Sequence, residues 1–289
     1  MANLKEIRNR ITSVGSTMQI TSAMKMVSAA KLKKAQDAIT AMRPYSETLT
    51  KLLQNLSATL DGDSGSKFAV QREITNVLVV AITSNRGLAG AFNSNIIKES
   101  RRSILEEYKG KNVHFVTFGK KGNDILKKTE KIVENNNAIF DDLSFENASV
   151  LSEKLMNLYA EGTYDKIVLV YNNFKNAATQ VVMHESYLPI APLKKEDTPS
   201  KTTTDYIFEP SKEKIVEELI PKMLKTQLFK ALRDSVASEH GARMTAMHKA
   251  TDNATELRNQ LKLQYNKARQ AAITSEILEI VGGAEALAG

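Results

Sequence analysis

From residue 3 to about 57 the chain holds one Pro and one Gly, and its apolar side chains recur at Leu4, Ile7, Ile11, Val14 and Met18 in alternating steps of three and four. That spacing places one narrow apolar stripe on a helix. The pattern slips at Ile20, Met24 and Val27 and resumes at Leu32, Ala35, Ile39 and Met42, and such a slip is expected to change the local winding of a coiled coil. At 1.5 Å per residue the helix would run roughly 80 Å, far beyond an ordinary domain helix.

The C-terminal segment repeats the theme. Leu224, Leu228, Leu232 and Val236 step by four, and Met244, Met247, Ala250, Ala254, Leu257, Leu261, Tyr265, Ala268 and Ala272 continue in threes and fours. Pro221 is expected to kink or restart this helix. Gly241 sits inside the pattern, where glycine costs about 1 kcal/mol relative to alanine. Beside Ala242 it would allow close approach of another element. Two long helices with one stripe each most simply bury those stripes against each other as an antiparallel pair.

The middle of the chain alternates strand and helix signals. Asn76–Ile82, Val113–Phe118, Ile167–Tyr171 and Thr179–Leu188 read as strands, the last joined by a short turn and so antiparallel to its neighbour. Helices are expected at 93–108, 120–128 and 148–161. This alternation defines an α/β layer with a largely parallel, Rossmann-like sheet. The expected division is a coiled-coil helix over 1–60, an inserted α/β domain over 68–200 and a second coiled-coil helix over 208–289. Residues 61–67 (DGDSGSK) and 194–204 (KKEDTPSKTTT) read as polar linkers.

The absence of cysteine removes disulfides, thiolate nucleophiles and thiolate metal sites. The net charge of +7 implies an acidic partner, be it nucleic acid, anionic lipid or protein. The charge is spread without a basic tail and aromatic residues make up 6%, which disfavours nucleic acid. No apolar stretch approaches the roughly 18 residues that span a bilayer, and the charged N-terminal residues do not resemble a signal peptide. A cytoplasmic protein that meets the membrane only through partners is expected.

Ser84-Asn85-Arg86-Gly87-Leu88-Ala89-Gly90-Ala91-Phe92-Asn93 follows a buried strand and precedes a helix, where open α/β sheets bind phosphates. Only Gly87 and Gly90 of the three glycines of a dinucleotide fingerprint are present, and the segment reads as a turn that needs glycine dihedrals. Gly119-Lys120 does not make a phosphate-binding P-loop, because His114 and Lys121 stand where Gly and Ser or Thr are required. His114, His184, His240 and His248 form no zinc-binding pair. No catalytic constellation, cofactor site or metal site is expected. Arg243, Arg258 and Arg269 lie among Ala, Thr, Asn and Gln, as either an exposed helix face or a set of partner contacts. Arg269-Gln270 carries the most donors, and arginine can fork onto a carboxylate.

Three segments carry a family resemblance. Arg10–Val14 with Thr17–Val27 is similar to the N-terminal signature of ATP synthase γ subunits. Residues 238–254 (SEHGARMTAMHKATDNA) and 265–287 (YNKARQAAITSEILEIVGGAEAL) resemble the C-terminal signature. SNRGLAGAFN resembles the family turn S-D-R-G-L-C-G-G-F-N, with Asn85 for Asp, Ala89 for Cys and Ala91 for Gly. The missing cysteine argues against the thiol-regulated chloroplast form, and the helical start favours a bacterial one.

The resemblance implies a non-catalytic rotor, one copy per complex, on the cytoplasmic face of the bacterial inner membrane. Its partners would be the α and β subunits, the small ε subunit and the membrane c-ring. Proton flow would turn the ring and the shaft, and the shaft would drive the β sites through their nucleotide affinities. By motif position, Arg269 and Gln270 would contact a β loop, and Met24 and Arg243 would face each other beside Lys25. Arg86 would lie near an acidic β loop. Ile277 to Leu287 would sit in the apolar sleeve of the ring, and Asp205 to Pro210, with Tyr206 and Glu209, would lie at the foot. The competing reading is a basic coiled-coil adaptor on an acidic partner or nucleic acid.

Overall fold

The computed structural model describes residues 4–59, 67–68, 70–190 and 212–288. Its elements are α1 (Leu4–Thr59), β1 (Asn76–Ile82), α2 (Phe92–Glu106), β2 (Asn112–Phe118), α3 (Lys120–Leu126), β3 (Lys131–Asn135), a 3₁₀ turn (Asn137–Phe140), α4 (Phe145–Ala160), β4 (Lys166–Phe174), β5 (Gln180–Leu188) and α5 (Lys212–Ala288). The backbone forms two compact units. One is Met1–Ala29 with Arg243–Gly289, and the other is Ala30–Ala242.

In the first unit α1 and α5 run antiparallel. Thr251 Oγ1 lies 2.8 Å from Thr21 Oγ1, and Thr21 Oγ1 donates to Met18 O at 3.1 Å. The expected phase slip in α1 is absent. Positions 4, 7, 11, 14, 18, 21, 25, 28, 32, 35, 39 and 42 are all buried or half-buried, in unbroken steps of three and four. Polar residues hold the stripe where apolar residues leave it. Thr21 is 9% and Ser28 3% exposed, whereas Ile20, Met26 and Val27 are 57–65% exposed. On α5, Met247, Ala254 and Leu261 are buried and positions 251, 258, 265, 268, 272 and 275 half-buried, so Thr251 and Arg258 take seam positions and Leu257 lies outside. A helix seam follows geometry with a period of 3.5, and a hydroxyl that back-bonds to its own helix can occupy it.

Helix α1 continues through Pro44 and α5 through Pro221. Each proline removes one i→i−4 donor without ending the element, contrary to a restart at Pro221. Gly15 has open space where a Cβ would stand. Gly15→Ala is therefore expected to stabilise the chain by about 0.5–1 kcal/mol through helix propensity alone. Urea unfolding followed by circular dichroism measures it, and no gain would mean that the first turns of α1 fray before the transition.

In the second unit the sheet order is β3-β2-β1-β4-β5, parallel except for β5, which pairs antiparallel with β4. Strand β1 is buried on both faces, as its continuous apolar run requires. Val77, Val79 and Ala81 join Val168 and Val170 of β4 against Ile96 and Ile97 of α2. Leu78, Val80 and Ile82 join Ile167 and Leu169 on the opposite face. There they meet Leu155 and Met156 of α4, Leu49 of α1 and Ile220, Leu224, Leu228 and Leu232 of α5. Buried Tyr187 closes this core. Its hydroxyl lies 2.6 Å from Ser152 Oγ and 3.1 Å from Leu224 O, and burial pushes its pKa up.

Strand β3 and the 3₁₀ turn escape the sequence pattern. Lys131-Ile-Val-Glu-Asn135 offers two adjacent apolar residues between charges, and Val133 is 47% exposed. An edge strand buries too little to show a strong pattern, and its charges protect the open edge. Thr179–Leu188 is consequently the fifth strand rather than the fourth.

Candidate functional site

The C-terminal ends of β1 and β2 mark where an open α/β sheet would hold a phosphate. Here the side chains of the β1–α2 turn close that position. Ser84 N–H donates to Asn93 Oδ1 at 2.9 Å, and Asn93 Nδ2 donates to Ser84 Oγ at 2.8 Å. The first donors of α3 are occupied in the same way. Lys120 N–H bonds Asn85 Oδ1 at 3.0 Å, Lys121 N–H bonds Ser84 O at 3.0 Å, and Gly122 N–H bonds Thr83 Oγ1 at 2.9 Å. An anion at this helix start would have to displace all three bonds.

Asn85 also donates from Nδ2 to Asn137 O at 2.9 Å, in the 3₁₀ turn. A carboxylate could accept from Lys120 but could not donate to Asn137, so the amide suits this position. Ala89, at the family's cysteine position, is 2% exposed. The glycine dihedrals of the turn fall at unexpected places. Gly90 has φ 58° and Leu88 has φ 60°, whereas Gly87 is not left-handed. Leu88 is thus held in a conformation uncommon for a bulky residue while 65% exposed, next to exposed Arg86.

The remaining candidates lie on the two-helix unit. Met24 and Lys25 are half-buried, Arg243 is 7% exposed, Arg269 and Gln270 are exposed, and Ile277 is 54% exposed. Tyr206 and Glu209 lie outside the described residues, as do both predicted linkers except Lys67. Sequence reasoning did not single out Met26, Leu263 and Ile273, which with Ile20, Val27, Leu278, Ile280 and Val281 are apolar and 48–66% exposed. Their signal was available, since each is apolar yet out of phase with its seam. Exposed apolar surface of this kind marks partner contact.

Among the described residues no group of His, Asp and Glu could hold a metal ion, and no helix is long and apolar enough to cross a membrane. A second cluster of titratable groups sits beside the sheet. Glu107 accepts from Tyr108 Oη at 2.6 Å and from Lys166 Nζ at 3.1 Å, with His184 Nε2 at 3.5 Å. Burial opposes ionisation of Glu107, but these partners together hold its pKa below the ordinary value. The cluster ties the end of α2 to β4 and β5.

Two terminal helices paired along one seam, and an α/β body whose phosphate position is closed by its own side chains, define a coiled-coil protein with an α/β domain. The ATP synthase family profile matches residues 3–287. The ATP synthase gamma chains of Christiangramia forsetii and Flavobacterium johnsoniae are 70% and 71% identical over 289 residues, covering all of both chains in each comparison. A chain of the Euglena gracilis mitochondrial ATP synthase, seen in its OSCP/F1/c-ring assembly in rotational state 3, superposes with a TM-score of 0.72 at 25% identity. That match covers 98% of this chain and 94% of the other. The chain belongs to the family of ATP synthase gamma chains.

Proposed function

We propose that this chain turns as the central stalk of its ATP synthase, between a membrane c-ring and a catalytic ring of α and β subunits, and carries no active site of its own. The observation that carries this reading is the division of the surface. Donors beyond the C-terminal ends of β1 and β2 are bonded internally, whereas the two-helix unit exposes apolar side chains and multi-donor groups suited to a partner.

In this reading Arg269 and Gln270 hold a β loop by charge-assisted bonds, and Arg86 with Leu88 meets an acidic β loop. Ile277 enters an apolar sleeve. Lys25 and Met24 lie near the β contact, opposite Arg243, and Tyr206 and Glu209 reach the ring at the foot. The small ε subunit binds the α/β body. One copy serves each complex, at the cytoplasmic face of the bacterial inner membrane.

Co-expression with the α and β subunits of the same organism tests the proposal. A large complex whose ATP turnover depends on this chain is expected. Arg269→Ala with Gln270→Ala should lower turnover about tenfold, the rate equivalent of a charge-assisted bond worth about 1.5 kcal/mol, with assembly retained. A chain that runs alone and leaves α and β activity unchanged would overturn the reading. Unchanged turnover in an intact double variant would remove those two residues from the contact set.

A further inference from the structure

We infer that the α/β unit carries a docking surface for the anionic headgroups of a lipid bilayer, formed by Lys109, Lys111, Lys127, Lys128 and Lys131 around Leu105. The first observation is concentration of charge. Residues 105–131 hold seven lysines, five of them in the patch, against Glu106, Glu107, Asp124 and Glu130, a net +3 within a chain whose total is +7. Evenly spread charge would put less than one unit in a segment of that length.

Topology gathers these groups at one end of the sheet. Lys109 and Lys111 lie in the turn from α2 into β2, and Lys127 and Lys128 follow α3. Lys131 opens β3, opposite His114 near the start of β2. Arg101 Nη2 donates to Thr129 Oγ1 at 2.8 Å, which fastens the last turns of α2 to the 127–131 segment. Leu105, one helical turn beyond Arg101, is 72% exposed there. All five lysines are exposed. Among the described residues none of Lys109, Lys111, Lys128 and Lys131 enters an ion pair, and Lys127 reaches Asp124 only at 3.9 Å.

The composition of the patch selects the partner. Protein interfaces are enriched in arginine and aromatics and depleted in lysine. Here five lysines outnumber the neighbouring Arg101 and Arg102, which lie within 4 Å of carboxylates of Glu130, Glu99 and Glu106, and the nearby aromatic Tyr108 is buried. Hydrated ammonium groups on flexible stems suit a diffuse anionic plane better than a fixed carboxylate fork. Four to eight clustered basic residues around an exposed aliphatic side chain match the electrostatics of an anionic leaflet.

Vesicle co-sedimentation of the full chain tests the inference. The probe is phosphatidylcholine with roughly 30% phosphatidylglycerol, against phosphatidylcholine alone. Binding only to the anionic vesicles is expected, with release at roughly 0.5 M salt. Each lysine near the surface is worth about fivefold in partition, so K109Q/K111Q/K127Q/K128Q/K131Q should bind at least about a hundredfold more weakly. A charge-matched control, K31Q/K34Q/K249Q/K262Q/K267Q, should stay within about fivefold of the parent, and melting curves check that both variants fold. Equal losses in the two variants would overturn the patch in favour of net charge alone. Absence of binding to anionic vesicles would overturn it too, as would tighter binding to duplex DNA or polyglutamate than to vesicles. Partition is read without the assembled complex, so its failure leaves the rotor reading untouched.

Discussion

Gly119→Ala is expected to destabilise the α/β unit by about 3–5 kcal/mol, a large share of the total stability of a domain. Gly119 has φ 96° and ψ 144°, a conformation that side chains rarely adopt. A Cβ there would stand 2.2 Å from Thr83 O and 2.6 Å from Thr83 C. Those are backbone atoms and cannot swing aside. Thr83 is itself fixed, since its N–H donates to Phe118 O at 2.7 Å and its hydroxyl bonds both Phe118 O and Gly122 N–H. Relief would require parting β1 from β2 at the closed edge.

Gly110→Ala supplies the comparison. Gly110 has φ 78° but nothing within 4 Å of its Cβ position, so only the left-handed strain of about 1–2 kcal/mol applies. Urea unfolding of both variants separates the effects. If Gly119→Ala lost no more than Gly110→Ala, the contact with Thr83 would have to be softer than its hydrogen bonds imply.

Met24→Lys is expected to cut proton pumping per ATP by at least half in the assembled complex, with hydrolysis continuing. Arg243, in the same compact unit, is 7% exposed, and Met24 is half-buried on the facing helix. Two cations about 4 Å apart near a protein surface repel by about 4 kcal/mol. In the proposed assembly the new ammonium group would relieve that repulsion by seeking a carboxylate on the surrounding subunits, which would add a drag that rotation must break. Met24→Leu conserves volume and should leave pumping unchanged. Parallel measurements of ATP hydrolysis and proton uptake decide the matter. Unaltered pumping in Met24→Lys would show that Met24 and Arg243 do not face each other.

Much of the fold is readable from residue order because its signals are local. The apolar runs at 77–82 and 167–171 predict strands buried on both faces, and both occur. The helices after β1 and β2, expected from 93 and 120, begin at Phe92 and Lys120. The stripes of α1 and α5 predict a paired seam, and Thr21 meets Thr251 across it. The missing phosphate fingerprint at 84–93 predicts a structural turn, and the turn binds its own donors. Strand β3 was illegible because an edge strand of five residues buries one face at most. Tyr206 and Glu209 rest on resemblance alone.

Sequence by itself determined that two long helices with matching apolar periods pair, with a strand–helix layer between them in chain order. Side-chain spacing along one helix or strand is covalently set, and burial of one face follows from it. Only the tertiary structure decided which residues fill the seam and how the sheet edge closes. Thr21 and Ser28 lie inside and Ile20, Met26 and Val27 outside because the facing helix, rather than hydrophobicity, fixes the contact line. Asn85 meets Lys120 and Asn137, 35 and 52 residues away, because the parallel register of β1 and β2 brings those segments together. Polar groups are satisfied by partners distant in the chain, and no local pattern names those partners.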